Sequence, residues 1–130
     1  MKKADKILHE LCLLAQDVVP VGSARIAAAI VYKRQIVGMG TNIRKSSPFQ
    51  KRFGSNEEAI YGHAENVAAR NSINRLGSVD FLRNSTLIVA RMRIINGKWV
   101  RGRACPCEGC SRMIEAYGIP RVLWTEDELA

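Results

Sequence analysis

The sequence predicts an α/β protein in which a mixed sheet of four to five strands lies between helices. Three observations lead to this fold class. Apolar residues recur at helical spacing in three segments of the chain, and short apolar runs typical of strands alternate with those segments. An Asn96-Gly97 pair between two apolar runs is a strong signal for a β-hairpin. The predicted order is therefore α-β-β-α-β-α-β, with the hairpin extending the third strand.

The N-terminal part of the chain contributes one helix and two strands. Residues 5–19 place apolar side chains at helical spacing until a proline ends the run, which predicts an amphipathic helix. Residues 24–32 and 35–41 read as two apolar strands, joined by a tight turn at Lys33-Arg34. The small residues of the first strand suit a strand that helices cover closely, and they also suit a helix.

The remainder of the chain begins with an irregular segment. Residues 42–62 have no clear periodicity, and such a long segment in a compact domain is usually functional or mobile. Gly77 and Gly118 are the residues expected to end the two later helices. The elements predicted here are a helix, a strand with its hairpin extension, a helix and a last strand, at 62–76, 86–95 with 98–100, 107–117 and 121–125.

Length and charge restrict the class of protein. The 130 residues are expected to form one domain, residues 1–130, large enough to bury a hydrophobic core. The formal charge of +8, from 20 basic and 12 acidic residues, favours an anionic partner such as a nucleotide phosphate or a nucleic acid. No apolar run is long enough for a bilayer and no signal peptide opens the chain, so we expect a cytoplasmic protein with no membrane partner.

Three of the four cysteines lie close together, at Cys105, Cys107 and Cys110. This cluster favours metal binding in a reducing compartment over disulfide formation. His63 with Cys107 and Cys110 would give Zn²⁺ three protein ligands and leave a fourth tetrahedral position for water. The two cysteines are three residues apart, which places them on one face of a helical turn. A helix that begins at Cys107 would direct its positive end at both sulfurs and lower the thiol pKa.

Two short motifs carry these residues. His63-Ala64-Glu65 and Pro106-Cys107-Glu108-Gly109-Cys110 match H-x-E followed by P-C-x-x-C, which is the signature of zinc-dependent base deaminases. The H-x-E triplet by itself is a weak signal, and the pair of motifs in this order is a strong one.

Glu65 is predicted to be the catalytic residue. It lies two positions after His63, a spacing that does not put both side chains on one helix face, so one becomes a ligand and the other stays free. Zinc lowers the pKa of a bound water from about 15.7 to roughly 7, and a nearby carboxylate can then accept its proton at neutral pH. We predict that Glu65 passes this proton to N3 of a cytosine, so that attack at C4 releases ammonia and leaves uracil.

A closed structural zinc site is the alternative interpretation. It would use Cys105 as a fourth ligand beside His63, Cys107 and Cys110, and such sites do no chemistry. Cys105 is separated from Cys107 by a proline, an awkward geometry for ligands of one metal. A structural site also gives no reason for a carboxylate at Glu65, so the open site is preferred.

Over residues 24–125 the chain resembles the cytidine and deoxycytidylate deaminase superfamily, on the strength of the two motifs. Its short Asn-Gly hairpin resembles that of deaminases from phages and large viruses. The resemblance implies a cytidine deaminase-like fold, with His63, Cys107 and Cys110 as the zinc ligands and Glu65 as the proton shuttle.

The resemblance also implies substrate contacts by Asn42, Ala64, Cys105 and Trp124. Asn42 would contact the sugar, with a turn-forming asparagine as the alternative. Backbone carbonyls at Ala104-Cys105 would hold the amino group of the base, because Ala104 stands where the family usually has Ser or Thr. Trp124, near the end of the last strand, could stack on the base.

The C-terminus departs from the family pattern. Family members normally have a further helix and strand after the position of Trp124, where only residues 126–130 remain. We therefore expect a sheet shortened at its C-terminal side, or an edge covered by a hairpin strand or by a partner subunit. A homo-oligomer follows from the last of these possibilities.

The leading interpretation of the substrate is a free cytosine nucleotide, most simply dCMP converted to dUMP. Its phosphate would be held by basic residues of the irregular segment that follows Asn42, for which a solvated basic loop is the alternative. These residues are Arg44, Lys45, Lys51 and Arg52.

Two other functions remain open. A deaminase of cytosine in single-stranded DNA or RNA would use the arginine-rich hairpin as an electrostatic track and Trp99 as a stacking platform. Trp99 could equally be cross-strand packing within the hairpin. A non-catalytic, zinc-stabilised nucleic-acid-binding module, in which Glu65 is incidental, is the third interpretation.

Overall fold

The computed structural model describes residues 3–18, 25–42 and 63–128. The predicted order of helices and strands is confirmed, and a short 3₁₀ helix that was not predicted lies before the third strand. The elements are α1 (Lys3–Gln16), β1 (Ile26–Tyr32), β2 (Gln35–Thr41), α2 (Ala64–Leu76), the 3₁₀ helix (Asp80–Asn84), β3 (Thr86–Ile95), β4 (Lys98–Gly102), α3 (Glu108–Tyr117) and β5 (Arg121–Trp124).

The five strands form one mixed sheet, as expected. Strands β2, β1, β3 and β4 are neighbours in that order and all antiparallel, whereas β5 pairs with β3 in parallel. Both β4 and β5 lie on the side of β3 opposite β1: β5 pairs with Thr86–Val89, and β4 pairs with Arg91–Ile95. The two strands therefore share one edge of β3, one after the other.

Helices cover both faces of the sheet. Helix α1 packs on one face with alternate residues of β1 and β3, and α2 and α3 pack on the other face. Ala27, Ala28 and Ala29 of β1 are completely buried, and they alternate between the two cores. The first alanine-rich run is therefore a strand, and its small side chains allow close cover from both sides.

Two tight turns lie where the sequence predicts them. Lys33 and Arg34 have φ values of 51° and 64°, and Asn96 and Gly97 have values of 52° and 75°. Two successive residues with positive φ make the mirror-image turn that matches the twist of antiparallel strands. The predicted helix at 5–19 ends earlier, at Gln16, and the strand predicted at 24–32 begins at Ile26.

Thr125 joins β5 to the hairpin. Its N–H donates to Val89 O at 3.1 Å, its Oγ1 accepts from Arg91 N at 3.0 Å and donates to Gly102 O at 2.6 Å, and its carbonyl accepts from Ala104 N at 2.9 Å. A side chain that is only 2% exposed thus fills the gap between the end of β5 and the end of β4.

Residues 126–128 continue along the outer edge of β4. Glu128 N donates to Arg101 O at 3.0 Å, and the Glu128 and Asp127 carboxylates accept from the backbone N–H groups of Arg101 and Arg103 at 2.6 and 2.8 Å. The C-terminal segment therefore covers the hairpin edge. Within the described ranges, β5 pairs with β3 alone, which leaves the sheet short on that side as predicted. None of the described helices has the length and apolar composition needed to cross a membrane.

Candidate metal centre and active site

Two helix N-termini meet at the site. His63 is the N-cap of α2, with φ −86° and ψ 140°, and Cys107 is the N-cap of α3, with φ −70° and ψ 173°. Both residues are extended, so each helix begins directly after a residue of the predicted metal-binding motifs. Cys107 Sγ accepts from Cys110 N at 3.5 Å, a capping contact made possible by the spacing of three residues.

The three predicted metal ligands lie together. His63 Nδ1 is 3.3 Å from Cys107 Sγ and 3.4 Å from Cys110 Sγ, and all three ligand atoms lie within 4.8 Å of one another. Tetrahedral zinc with bonds of about 2.3 Å to sulfur and about 2.0 Å to nitrogen would separate those N and S atoms by about 3.5 Å. The residues present therefore fit zinc, and three of its four positions would be filled by protein.

The structure also addresses the closed-site alternative. Among the described residues, the one group of mutually close His, Cys, Asp and Glu ligand atoms consists of His63, Cys107 and Cys110. Cys105 is exposed and lies outside that group. Within the described part of the chain, the group therefore offers three ligand atoms, as an open site requires.

The two thiols differ in their tendency to ionise. The hydrogen bond from Cys110, together with the nearby His63, lowers the pKa of Cys107 far below its usual range. The same hydrogen bond and the burial of Cys110 raise the pKa of Cys110. Zinc binds cysteine as the thiolate, so a metal that binds both sulfurs must displace any proton that they hold.

Glu65 is held at the metal group by the first turn of α2. It is only 5% exposed, and burial raises the pKa of its carboxyl group. Its own backbone N–H, the charge of His63 and a hydrogen bond with Cys110 act in the opposite direction. A carboxyl group with a raised pKa next to a metal site can both accept and return a proton near neutral pH.

Asn66 is a site residue that the sequence reasoning missed. Its Nδ2 donates to Cys110 Sγ at 3.2 Å, and the side chain is 2% exposed. Within the part of the chain that the structure describes, its Oδ1 is buried without a hydrogen-bond partner. Its position in the helix turn that follows His63 was the available signal, and its partner lies 44 residues away in sequence.

We expect Asn66→Ala to weaken zinc binding by roughly 10- to 100-fold, because hydrogen bonds to ligand atoms orient them and stabilise their charge. Competition with a chromophoric chelator would measure this affinity. Asn71→Ala is the control. Asn71 lies on the same helix as Asn66, but its amide donates to Met39 O of β2 at 2.8 Å and does not contact a ligand atom. Equal zinc affinity in Asn66→Ala and Asn71→Ala would contradict the assignment.

The residues predicted to contact the substrate have contacts within the protein. Asn42 is 8% exposed, and its Oδ1 accepts from Ile26 N at 2.8 Å, so it connects the end of β2 to the start of β1. The structure thus gives Asn42 a structural contact, and its contact with a sugar stays a prediction. Ala64 is fully buried in the core.

Trp124 is partly buried against the same core as Ala64, and its Nε1 donates to Glu126 Oε1 at 2.8 Å. It precedes Thr125, which pairs with Ala104 three residues ahead of Cys107. The four basic residues predicted to hold a phosphate lie outside the described residues. They are Arg44, Lys45, Lys51 and Arg52.

The arginine-rich hairpin is partly neutralised by the C-terminal segment. Arg93 is 3.5 Å from Asp127 and donates to Glu128 O at 3.1 Å, and Arg103 is 3.7 Å from Glu126. The Arg25 guanidinium lies over the Trp99 ring, 5.0 Å from its centroid. The contact with Arg25 gives Trp99 a packing role within the protein.

Comparison with known proteins agrees with the geometry of the site. The family model described as the cytidine and deoxycytidylate deaminase zinc-binding region matches residues 1–126. Comparison with curated protein sequences gives no match.

Several solved structures have a similar fold. A dCMP deaminase from the cyanophage S-TIM5, in its apo form, is 22% identical with a TM-score of 0.67, over 97% of this chain and 86% of that one. The same enzyme in complex with dCMP and dUMP is 20% identical with a TM-score of 0.63, over 98% and 85%. A guanine deaminase from Bacillus subtilis is 20% identical with a TM-score of 0.61, over 94% and 63%.

Proposed function

Because the chain belongs to the family defined by the cytidine and deoxycytidylate deaminase zinc-binding region, we propose that it deaminates cytosine in a free nucleotide, converting dCMP to dUMP. The reaction is hydrolytic and depends on zinc held by His63, Cys107 and Cys110. Glu65 carries the proton.

One observation carries this proposal: a buried carboxylate lies at an open group of three zinc-type ligands. Cys110 interacts with Glu65, and His63 and Cys107 lie close enough for their charges to shift its pKa. A structural zinc site has no need for such a group, and burying a carboxyl group without a function is costly.

Each residue then has a task in the reaction. Zinc, when bound here, activates a water molecule and supplies electrostatic stabilisation to the developing charge. Glu65 accepts a proton at its carboxylate and delivers it to N3 of the base. It then accepts a second proton, from the hydroxyl group added at C4, and delivers that proton to the departing amino group. Its buried surroundings favour the protonated form between those two transfers. Asn66 holds Cys110 in position through the 3.2 Å contact.

The substrate class rests on charge and on the comparison structures. The formal charge of +8 favours an anionic substrate over a neutral nucleoside or base. A structure of similar fold was solved with dCMP and dUMP bound. Another is a guanine deaminase, so the fold also serves purine bases, and the base must be tested directly.

The nucleic-acid alternative receives less support from the described residues. Arg93 and Arg103 are paired with Asp127 and Glu126, which reduces the charge that a phosphate backbone would meet along the hairpin. We therefore rank deamination of single-stranded DNA or RNA second.

Incubation of the zinc-loaded protein with a substrate panel tests the proposal. The panel contains cytidine, CMP, dCMP, dCTP, guanine and a cytosine-containing single-stranded oligonucleotide, with products separated by chromatography. We expect dCMP to become dUMP, and the oligonucleotide and guanine to stay unchanged. Editing of the oligonucleotide without turnover of free nucleotides would contradict the proposal and favour the nucleic-acid alternative, and deamination of guanine alone would contradict the assigned base.

A further inference from the structure

Arg91, on β3, is a partly buried arginine whose side chain has no acidic partner among the described residues. Its Nε is buried without a hydrogen-bond acceptor, and its guanidinium makes no ion pair or hydrogen bond with any of the described residues. Its neighbour Arg93 also has a buried Nε without a partner, but Arg93 Nη2 contacts Asp127 and Glu128. A guanidinium N–H that is buried without an acceptor is costly, so Arg91 Nε points to a ligand that supplies an acceptor.

Arg91 lies on the face of the sheet that carries the metal group. Residues of β3 alternate between the two cores: Leu87 and Val89 pack with α2 and α3, whereas Ile88 and Ala90 pack with α1. Arg91 continues the alternation on the same face as Leu87 and Val89. It lies directly opposite Ile26, which packs against the same core.

Arg91 also lies at the end of the sheet where the site opens. Its N–H donates to Thr125 Oγ1 at 3.0 Å, and Thr125 O accepts from Ala104 N at 2.9 Å, three residues ahead of Cys107. On its other side, Ile26 N donates to Asn42 Oδ1 at 2.8 Å. The two segments predicted to contact the nucleotide therefore lie on either side of Arg91.

Gly102 makes room for the Arg91 side chain. A Cβ at Gly102 would lie 3.2 Å from Arg91 Cδ and 3.3 Å from Arg91 Cγ. Gly102 does not have a positive φ, so its backbone conformation does not require glycine. The absence of a side chain at Gly102 instead lets the aliphatic part of Arg91 lie across β4. This packing determines where the guanidinium lies.

We propose that Arg91 binds the phosphate of the substrate, an inference that rests on the proposed deaminase function. A guanidinium offers two parallel N–H donors that match phosphate oxygens, and it keeps its charge in a partly buried place. The phosphate can belong to a free nucleotide or to the backbone of a single strand, and the chemistry that Arg91 recognises is the same in both. Arg91 thereby makes the enzyme select nucleotides over nucleosides.

Three variants test this assignment through steady-state kinetics with dCMP and deoxycytidine. Arg91→Gln is expected to raise KM for dCMP by about 10- to 100-fold, the loss of a charged hydrogen bond, and to leave kcat/KM for deoxycytidine unchanged. Arg91→Lys should restore part of the loss. Arg121 is exposed and lies at the start of β5, at the end of this strand that is far from Thr125. Arg121→Gln therefore removes the same charge and should behave like the wild-type protein.

Direct binding separates failure of this inference from failure of the proposed function. Calorimetric titration with dUMP, deoxyuridine, inorganic phosphate and a single-stranded oligonucleotide needs no turnover. Weaker binding of dUMP and phosphate to Arg91→Gln supports a mononucleotide site, and weaker binding of the oligonucleotide alone supports a backbone phosphate. Equal dUMP, phosphate and oligonucleotide affinities for Arg91→Gln and Arg121→Gln would overturn the inference, as would parallel losses for dCMP and deoxycytidine.

Discussion

Replacement of Glu65 by Gln is expected to remove deamination, lowering kcat by at least 10²- to 10⁴-fold, the usual contribution of a positioned acid–base group. Gln has nearly the same shape, and it can fill the buried position beside Cys110, but its amide cannot accept and return a proton. Zinc content and thermal stability should therefore change little. The measurements are kcat with dCMP, zinc stoichiometry by elemental analysis, and the midpoint of thermal unfolding.

Glu108→Gln is the matched control. Glu108 lies in the first turn of α3 as Glu65 lies in the first turn of α2, but its side chain is 72% exposed and pairs with Arg112 at 2.8 Å. An exposed pair of this kind contributes little, so near wild-type activity is expected. Full activity in Glu65→Gln would show that the assigned mechanism is wrong. A wild-type protein that binds zinc and deaminates no cytosine compound would instead favour the non-catalytic module.

Replacement of Gly40 by Ala is expected to disrupt the fold strongly, although it adds a single methyl group. A Cβ at Gly40 would lie 2.6 Å from Ala68 N, 2.7 Å from Ala64 O and 2.7 Å from Val67 Cβ. Two of these atoms belong to the backbone of α2, so the helix must move away from β2. Overpacking of this kind typically costs about 1–3 kcal/mol, and we expect the upper part of that range. Urea unfolding would measure the loss.

Displacement of α2 should also affect the site, because this helix positions Glu65 and begins at His63. We therefore expect zinc affinity to fall in Gly40→Ala, measured by chelator competition. Gly77→Ala is the comparison: Gly77 caps the same helix with φ 68°, and a Cβ there would meet nothing within 4 Å. Its cost should be about 1 kcal/mol, from the strained backbone alone, with no effect on zinc. An equal loss of stability in both variants would contradict the close-packing argument.

The order and type of the main helices and strands were accessible from the sequence, because each depends on a local pattern. Periodic apolar residues, the turns at Lys33-Arg34 and Asn96-Gly97, and the glycines after α2 and α3 all act within a few residues. The 3₁₀ helix Asp80–Asn84 escaped prediction, since five residues are too few to show a period. The composition of the alanine-rich run of β1 suits either a strand or a helix. In the structure this run is a strand that is buried on both faces.

The three candidate metal ligands could be recognised in the sequence for a related reason. His63, Cys107 and Cys110 have side chains whose chemistry is specific, and two of them lie in one short motif. Asn66 and Arg91 have no such signal. Each acquires its meaning from partners distant in the chain, Cys110 for the first, and Ile26, Gly102 and Thr125 for the second.

The amino-acid sequence thus determined the elements of the fold and the choice of His63, Cys107 and Cys110 as candidate metal ligands, because propensity, periodicity and ligand chemistry are properties of residues and short segments. Only the tertiary structure decided how the C-terminal acidic residues partly neutralise the hairpin, why Gly40 must lack a side chain, and that Arg91 Nε is buried without a partner among the described residues. These features depend on distances between segments far apart in the chain. Such distances are set by packing the two helical layers on the sheet, and no local pattern encodes them.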